Sequence, residues 1–77
     1  MTFGAWILEH LTELQISVYK LEKDCNFGRG AVYRWENKNH YPKMDSYFKV
    51  IKQIAKYRNE PVQVLVIDSL LKIEVKR

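Results

Sequence analysis

The sequence is poor in the residues that staple, bend or break a chain. Of its 77 residues one is cysteine, three are glycine and two are proline. A lone Cys25 cannot close an internal disulfide, which fits a reducing compartment, and it has no companions at the spacing of a metal site. It reads as a small buried apolar residue. There is no glycine-rich phosphate loop, and the two histidines, His10 and His40, fall on separate elements. No nucleophile, base and orienting group are therefore brought together, and an enzyme is not expected. No apolar run approaches the ~18 residues of a membrane span. The opening Met1-Thr2-Phe3-Gly4-Ala5-Trp6 lacks the basic patch and cleavage site of a signal peptide. A cytoplasmic protein is expected, with no cofactor, metal or small-molecule ligand.

What is present suits one small domain spanning residues 1–77. Hydrophobic residues make up 47% and charged residues 29% of the chain, the usual balance of a soluble globular domain. At this size roughly 60% of the unfolded surface is buried, so the core is adequate but thin. The net charge of +4 is unevenly placed. Up to Gly28, Lys20 and Lys23 face Glu9, Glu13, Glu22 and Asp24. From Arg29 to Arg58, Arg29, Arg34, Lys38, Lys43, Lys49, Lys52, Lys56 and Arg58 face only Glu36 and Asp45. The segment after Arg58 is neutral. Such concentration in a central stretch points to a polyanion-binding face.

Hydrophobic periodicity predicts an all-α domain of five helices. Phe3, Ile7, Leu11 and Leu14 make one stripe over Phe3 to Leu14, flanked by Trp6 and by His10 at the boundary. Ser17 is a good N-cap for a second helix from Val18 to about Asp24, with Val18, Leu21 and Cys25 inward. Asn26 suits a left-handed turn. A third helix is expected from Gly28 or Arg29 to Glu36, burying Val32 and Trp35 and accommodating Gly30 near its start. The loop from Asn37 to Pro42 follows, then a fourth helix from Met44 or Asp45 to Tyr57 with Tyr47, Phe48, Ile51, Ile54 and Ala55 inward. Lys49, Lys52 and Lys56 share another face and read as solvated. Pro61 suits the first turn of a fifth helix. That segment, 61–77, carries two stripes: Val62, Val66, Leu70 and Ile73, and Val64, Ile67, Leu71 and Val75. One would meet the core and the other a partner. Its β-branched residues also permit a strand, but Pro61 and the run Asp68 to Lys72 favour helix.

Two short helices, a turn of about four residues and a basic helix beyond it form a helix-turn-helix pattern. At these residues, roughly Ile16 to Ala55, the chain resembles the Cro and phage-repressor-like family of xenobiotic-response-element-type regulators. The run Val32-Tyr33-Arg34-Trp35-Glu36-Asn37 and the later Tyr41-Pro42 carry the likeness most plainly. Two places depart from it. The family has a small residue where this chain has Glu22, and often glycine where it has Asn26. The resemblance implies a lambda-repressor-like fold in which helices 2 and 3 form the motif and helix 3 enters the major groove. It implies base contacts from Gly28, Arg29, Gly30, Tyr33 and Arg34, and phosphate contacts from Ser17, Asn37, Lys38 and Asn39. Arginine pairs bidentately with guanine, which supports Arg29 and Arg34 independently. Glu36 reads as a structural partner for a nearby cation or backbone amide, since a carboxylate there repels phosphate.

These features lead to a sequence-specific DNA-binding regulator, a repressor, acting in the cytoplasm of a bacterium or encoded by a phage or mobile element. It would act as a homodimer on a pseudo-palindromic operator, joined through Val64, Ile67 and Leu71. The alternative is a protein-interaction module or antitoxin-like adaptor that uses the same fold to bind a protein partner.

Overall fold

Local signals place the helix ends. The computed structural model describes residues 1–37 and 40–73; Lys38 and Asn39 of the loop, and Val75 of the last apolar stripe, lie outside the described residues. The described residues form five α-helices and no strand: α1 Phe3–Leu14, α2 Val18–Asp24, α3 Ala31–Arg34, α4 Met44–Arg58 and α5 Val62–Lys72. The Thr2 hydroxyl accepts from the amide of Ala5 at 3.2 Å, and that of Ser17 accepts from Lys20 at 3.1 Å. Each satisfies an amide that its helix leaves unpaired. Left-handed residues close α1 at Gln15 (φ 56°) and α4 at Asn59 (φ 56°), and Asn26 (φ 59°) turns the chain after α2. In each case the next amide reaches back to a carbonyl five residues earlier: Ile16 to Leu11, Phe27 to Glu22 and Glu60 to Ala55.

The helices enclose one core in which Trp6, Ile7, Leu21, Val32, Val50, Ile51 and Ile54 are fully buried. The radius of gyration, 11.4 Å, is close to the ~11.5 Å of a compact chain of this length. α5 packs chiefly on α4, and α1 lies against α3, α4 and α5. Phe3 joins three elements, with ring centroids 6.0 Å from Trp6, 5.5 Å from Trp35 and 5.5 Å from Tyr47.

Several inward faces differ from the sequence reading. Trp6 does not flank the α1 stripe but is wholly buried, because its indole N–H donates to Asp68 at 2.9 Å and leaves no polar atom unpaired. In α4 the core position falls to Val50, while Phe48 lies 39% exposed. The segment after Pro61 is helical over Val62–Lys72, with Pro61 at the cap just ahead of the first turn. Its buried line runs through Leu65 and Ser69, flanked by Val62, Val66 and Ile73, and Leu70 is exposed. Ser69 tolerates burial because its hydroxyl bonds Val66 O at 2.8 Å and the phenol of Tyr47.

A polar network ties α1, α4 and α5 together at the edge of the core. Arg58 pairs with Glu13 and donates from Nε to His10 Nδ1 at 2.8 Å. An arginine has only protons to give, so the ring proton of His10 sits on Nε2, facing Asp68 at 3.3 Å. Asp68 also meets Lys72 at 3.1 Å. Burial opposes the charge of Asp68, yet hydrogen bonds from Trp6, Lys72 and His10 outweigh it and hold its pKa below the ordinary value. Across the molecule, Tyr57 donates to Asp24 at 2.6 Å, joining α4 to α2. That bond, with one from Lys20, lowers the pKa of Asp24. For a carboxylate depressed by folding, the stabilisation is full above the unfolded pKa and disappears as pH falls through the folded one. The urea midpoint is therefore expected to drop as pH falls below about 4. Asp68→Asn should show a shallower acid limb in the same titration; an unchanged limb would remove Asp68 from the account.

A candidate nucleic-acid interface on the second and third helices

The surface of interest begins where α2 ends. Its inward residues Leu21 and Cys25 are buried, with the Cys25 thiol 3.7 Å from the carbonyl oxygen of Lys49. Burial, and then the charge of Asp24, push that thiol up to about 11. The chain turns at Asn26 in the left-handed conformation expected of it. Phe27 then packs edge-on against Trp35, with centroids 5.3 Å apart, which pins the turn onto the far end of α3.

α3 is shorter than its sequence pattern predicts. It is a single turn, Ala31–Arg34, and Gly30 stands at its N-cap with φ 86°. That left-handed backbone cannot lie inside a right-handed helix, so Gly28, Arg29 and Gly30 form the approach to α3 rather than its first turn. Trp35, the C-cap residue, and Val32 are buried as expected. The far end of α3 abuts α1, where the Gly4 amide donates to the Trp35 carbonyl at 3.0 Å.

Three of the expected base-contacting side chains are open to solvent. Arg29 and Arg34 are exposed, Tyr33 is 58% exposed, and neither arginine forms an ion pair among the described residues. Among the described residues no carboxylate neutralises their charge. Gly28 and Gly30 border this surface, and a Cβ added to either would have no heavy atom within 4 Å. The two glycines differ in one respect that an experiment can read. Gly30→Ala meets the left-handed penalty of ~1–2 kcal/mol, whereas Gly28→Ala should change stability by under about 0.5 kcal/mol. Equal thermal midpoints for the two variants would contradict the φ of Gly30.

Of the expected phosphate-contacting residues, Ser17 is exposed at the start of α2; its oxygen accepts from Lys20, which leaves the hydroxyl proton to donate outward. Asn37 is exposed at the end of the motif. Glu36 is exposed too, and its side chain has no hydrogen bond or ion pair among the described residues, so the structural partner expected for it is not found there.

Three features were not anticipated. Tyr19 is 65% exposed on α2 beside Ser17, a position that follows from the inward phase of Leu21 and Cys25. Lys49 reaches over the Phe27 ring, 5.9 Å from its centroid, so one lysine of the α4 face meets the turn. Glu22 is buried, and its Oε2 accepts from the Val32 amide at 3.4 Å.

Elsewhere, Val64, Ile67 and Leu71 are exposed on α5, and Leu70 joins them at 70%. Beside them an open apolar groove of about 520 Å³ is lined by Tyr41, Met44, Phe48, Val66, Leu70 and Ile73. Among the described residues no group of three His, Cys, Asp or Glu side chains is placed to hold a metal ion. No helix among the described residues is long and apolar enough to cross a membrane. No family model, curated protein or solved structure matches the chain.

Proposed function

We propose that this protein is a sequence-specific double-stranded DNA-binding regulator of the Cro and phage-repressor-like kind, a cytoplasmic repressor that presents α3 and its approach to the major groove. The observation that carries this reading is the exposure of Arg29, Tyr33 and Arg34 on α3 and its approach, with both guanidinium groups free of ion pairs among the described residues. Guanidinium forks match the O6 and N7 acceptors of guanine, and Tyr33 offers a ring to a thymine methyl or a hydroxyl to a phosphate. Gly28 and Gly30 let backbone come close to the duplex. Ser17 and Asn37, with Lys38 and Asn39, supply phosphate contacts that fix the register. The work asked of the site is binding alone, and no catalytic role is assigned to it.

The long dimension of the protein, 32 Å, is about one helical repeat of DNA, and half-sites one turn apart lie ~34–36 Å from centre to centre. One copy thus covers one half-site, and two are needed for a pseudo-palindrome. Val64, Ile67 and Leu71 form the dimer face in this reading. Ile67→Lys is expected to leave the fold intact and give a monomer by sedimentation; a wild-type monomer both free and on DNA would end the dimer proposal.

The test of the whole reading is selection of bound duplexes from random DNA at two salt concentrations. A motif should be enriched, with affinity falling as salt rises through release of counterions. Uniform collapse with no motif reduces the claim to non-specific attraction. Gly28→Ala should weaken binding to the selected duplex while leaving stability unchanged.

One observation favours a second reading. The groove lined by Tyr41, Met44, Phe48 and Leu70 is an open, largely apolar surface, and it suits an adaptor that binds a protein partner. Its discriminating result is a chain that binds no duplex in the selection yet copurifies with a defined partner lost on Leu70→Lys.

A further inference from the structure

α3 begins without the usual side-chain cap. Its N-cap is Gly30, which has no side chain, and no hydroxyl, amide or carboxyl from that position reaches the first-turn amides. Those amides lack the helical carbonyls ahead of them and need other partners; that of Ala31 reaches the Gly28 carbonyl at 3.4 Å. The amide of Val32, a fully buried residue, finds one in Glu22, ten residues earlier on α2. Glu22 is itself buried, the only acidic residue in the interior among those described.

The same residue holds the other end of the approach. The backbone carbonyl of Glu22 accepts from the Phe27 amide at 2.8 Å, while its side chain accepts from the Val32 amide at 3.4 Å. Residues 28–31 therefore run between two hydrogen bonds that both end on Glu22. Arg29 lies within this bracket, whereas Arg34 lies beyond it. The stretch also holds Gly28 and Gly30, whose backbone has little intrinsic stiffness, so its course depends on how its ends are fixed.

We propose that Glu22 is a positioning residue for nucleic-acid readout: by fixing the Phe27 and Val32 amides it sets where Arg29 is presented, without touching the duplex. The small residue found in the resembling family at this place lets two helices approach; here a longer side chain fills the contact and serves as the missing cap. A loss of the side-chain bond frees one end of the bracket only. The base pair read by Arg29 should then lose definition, and the one read by Arg34 should keep it.

This rests on the DNA-binding reading, and the test separates the two. Wild type, Glu22→Gln and Glu22→Ala are compared by selection from random duplexes and by amide hydrogen exchange at Val32. Gln keeps an acceptor oxygen at the same reach; Ala does not. In Glu22→Ala the Val32 amide should exchange roughly tenfold faster, the scale of one lost hydrogen bond. Preference should relax at a single base pair, with the salt dependence unchanged because no phosphate contact is lost. Glu22→Gln should restore both. Should Glu22→Ala fail to fold, Glu22→Asp decides: its shorter side chain falls short of the Val32 amide, so exchange there should rise and preference at the same base pair should relax. Unchanged exchange at Val32, or a motif identical to wild type in the shortened variant, overturns the proposal. A wild type that enriches no motif instead overturns the DNA reading on which it stands.

Discussion

Gly4→Ala is expected to destabilise the fold by ~2 kcal/mol or more, although alanine is the better helix former. Gly4 lies in the first turn of α1, where exposed glycine costs a helix ~1 kcal/mol relative to alanine. Propensity alone thus predicts a gain. The packing predicts the opposite. A Cβ at residue 4 would stand 2.6 Å from Val32 O and 2.7 Å from the carbonyl carbon of Trp35, and closer still to the Glu36 amide nitrogen. All three are backbone atoms and cannot rotate aside. Either α1 lifts from α3, breaking the bond from the Gly4 amide to the Trp35 carbonyl, or the end of α3 moves. Overpacking of this kind costs ~1–3 kcal/mol and sometimes more. In a domain of this length, ~2 kcal/mol corresponds to a fall of about 10 °C in the thermal midpoint. Gly28→Ala is the control, since its Cβ meets nothing. A Gly4→Ala protein as stable as wild type would mean that α1 and α3 are not in backbone contact. If the end of α3 is what moves, binding of the selected duplex should fall further than stability alone accounts for.

Arg34→Ala is expected to cost ~1–3 kcal/mol of binding to the selected duplex, and to relax preference at one base pair. The side chain is exposed at the last residue of α3 and forms no ion pair among the described residues. Its removal should therefore leave the urea midpoint within about 0.5 kcal/mol of wild type. Arg34→Lys separates the two ways in which a cation can act. A point charge still attracts phosphate, but it lacks the planar fork that meets two acceptors on one base. If Arg34 reads a base, lysine restores affinity in part and leaves the preference relaxed. If it only contacts phosphate, Arg34→Ala lowers the salt slope by about one unit and leaves the motif intact. That second outcome would remove Arg34 from base readout and leave Arg29 and Tyr33 to carry it.

Elements fixed by neighbouring residues were legible in the chain itself. The bounds of α1 and α2 follow from the periodicity of Phe3 to Leu14 and from the Ser17 cap, and the left-handed turn at Asn26 follows from its residue type. What depended on distant residues was not. Gly30 seemed tolerable inside a helix because its φ of 86° has no signature in sequence. Nothing local tells that Gly4 must admit the backbone of residues 32–36. His10 and Asp68 are 58 positions apart, so their contact has no spacing to betray it. Ser69 was passed over as core because a hydroxyl reads as surface until its partners, Val66 O and Tyr47, are known. For the candidate site, the outward placing of Tyr33 and Arg34 follows from the inward phase of Val32 and Trp35, whereas that of Arg29, ahead of the helix, does not. The bracket made by Glu22 does not, since its side chain was readable only as a departure from the small residue common at that place.

The buried thiol of Cys25 has a practical consequence. With its pKa pushed up to about 11, it is almost wholly protonated at neutral pH and reacts slowly with maleimides and disulfide reagents. The native chain is thus slow to take up such probes while folded. A single cysteine introduced at an exposed place, such as Glu9→Cys on α1, would carry a fluorophore or spin label without first stripping the protein of its own sulfhydryl. Distances between two labelled copies on one operator could then be measured directly.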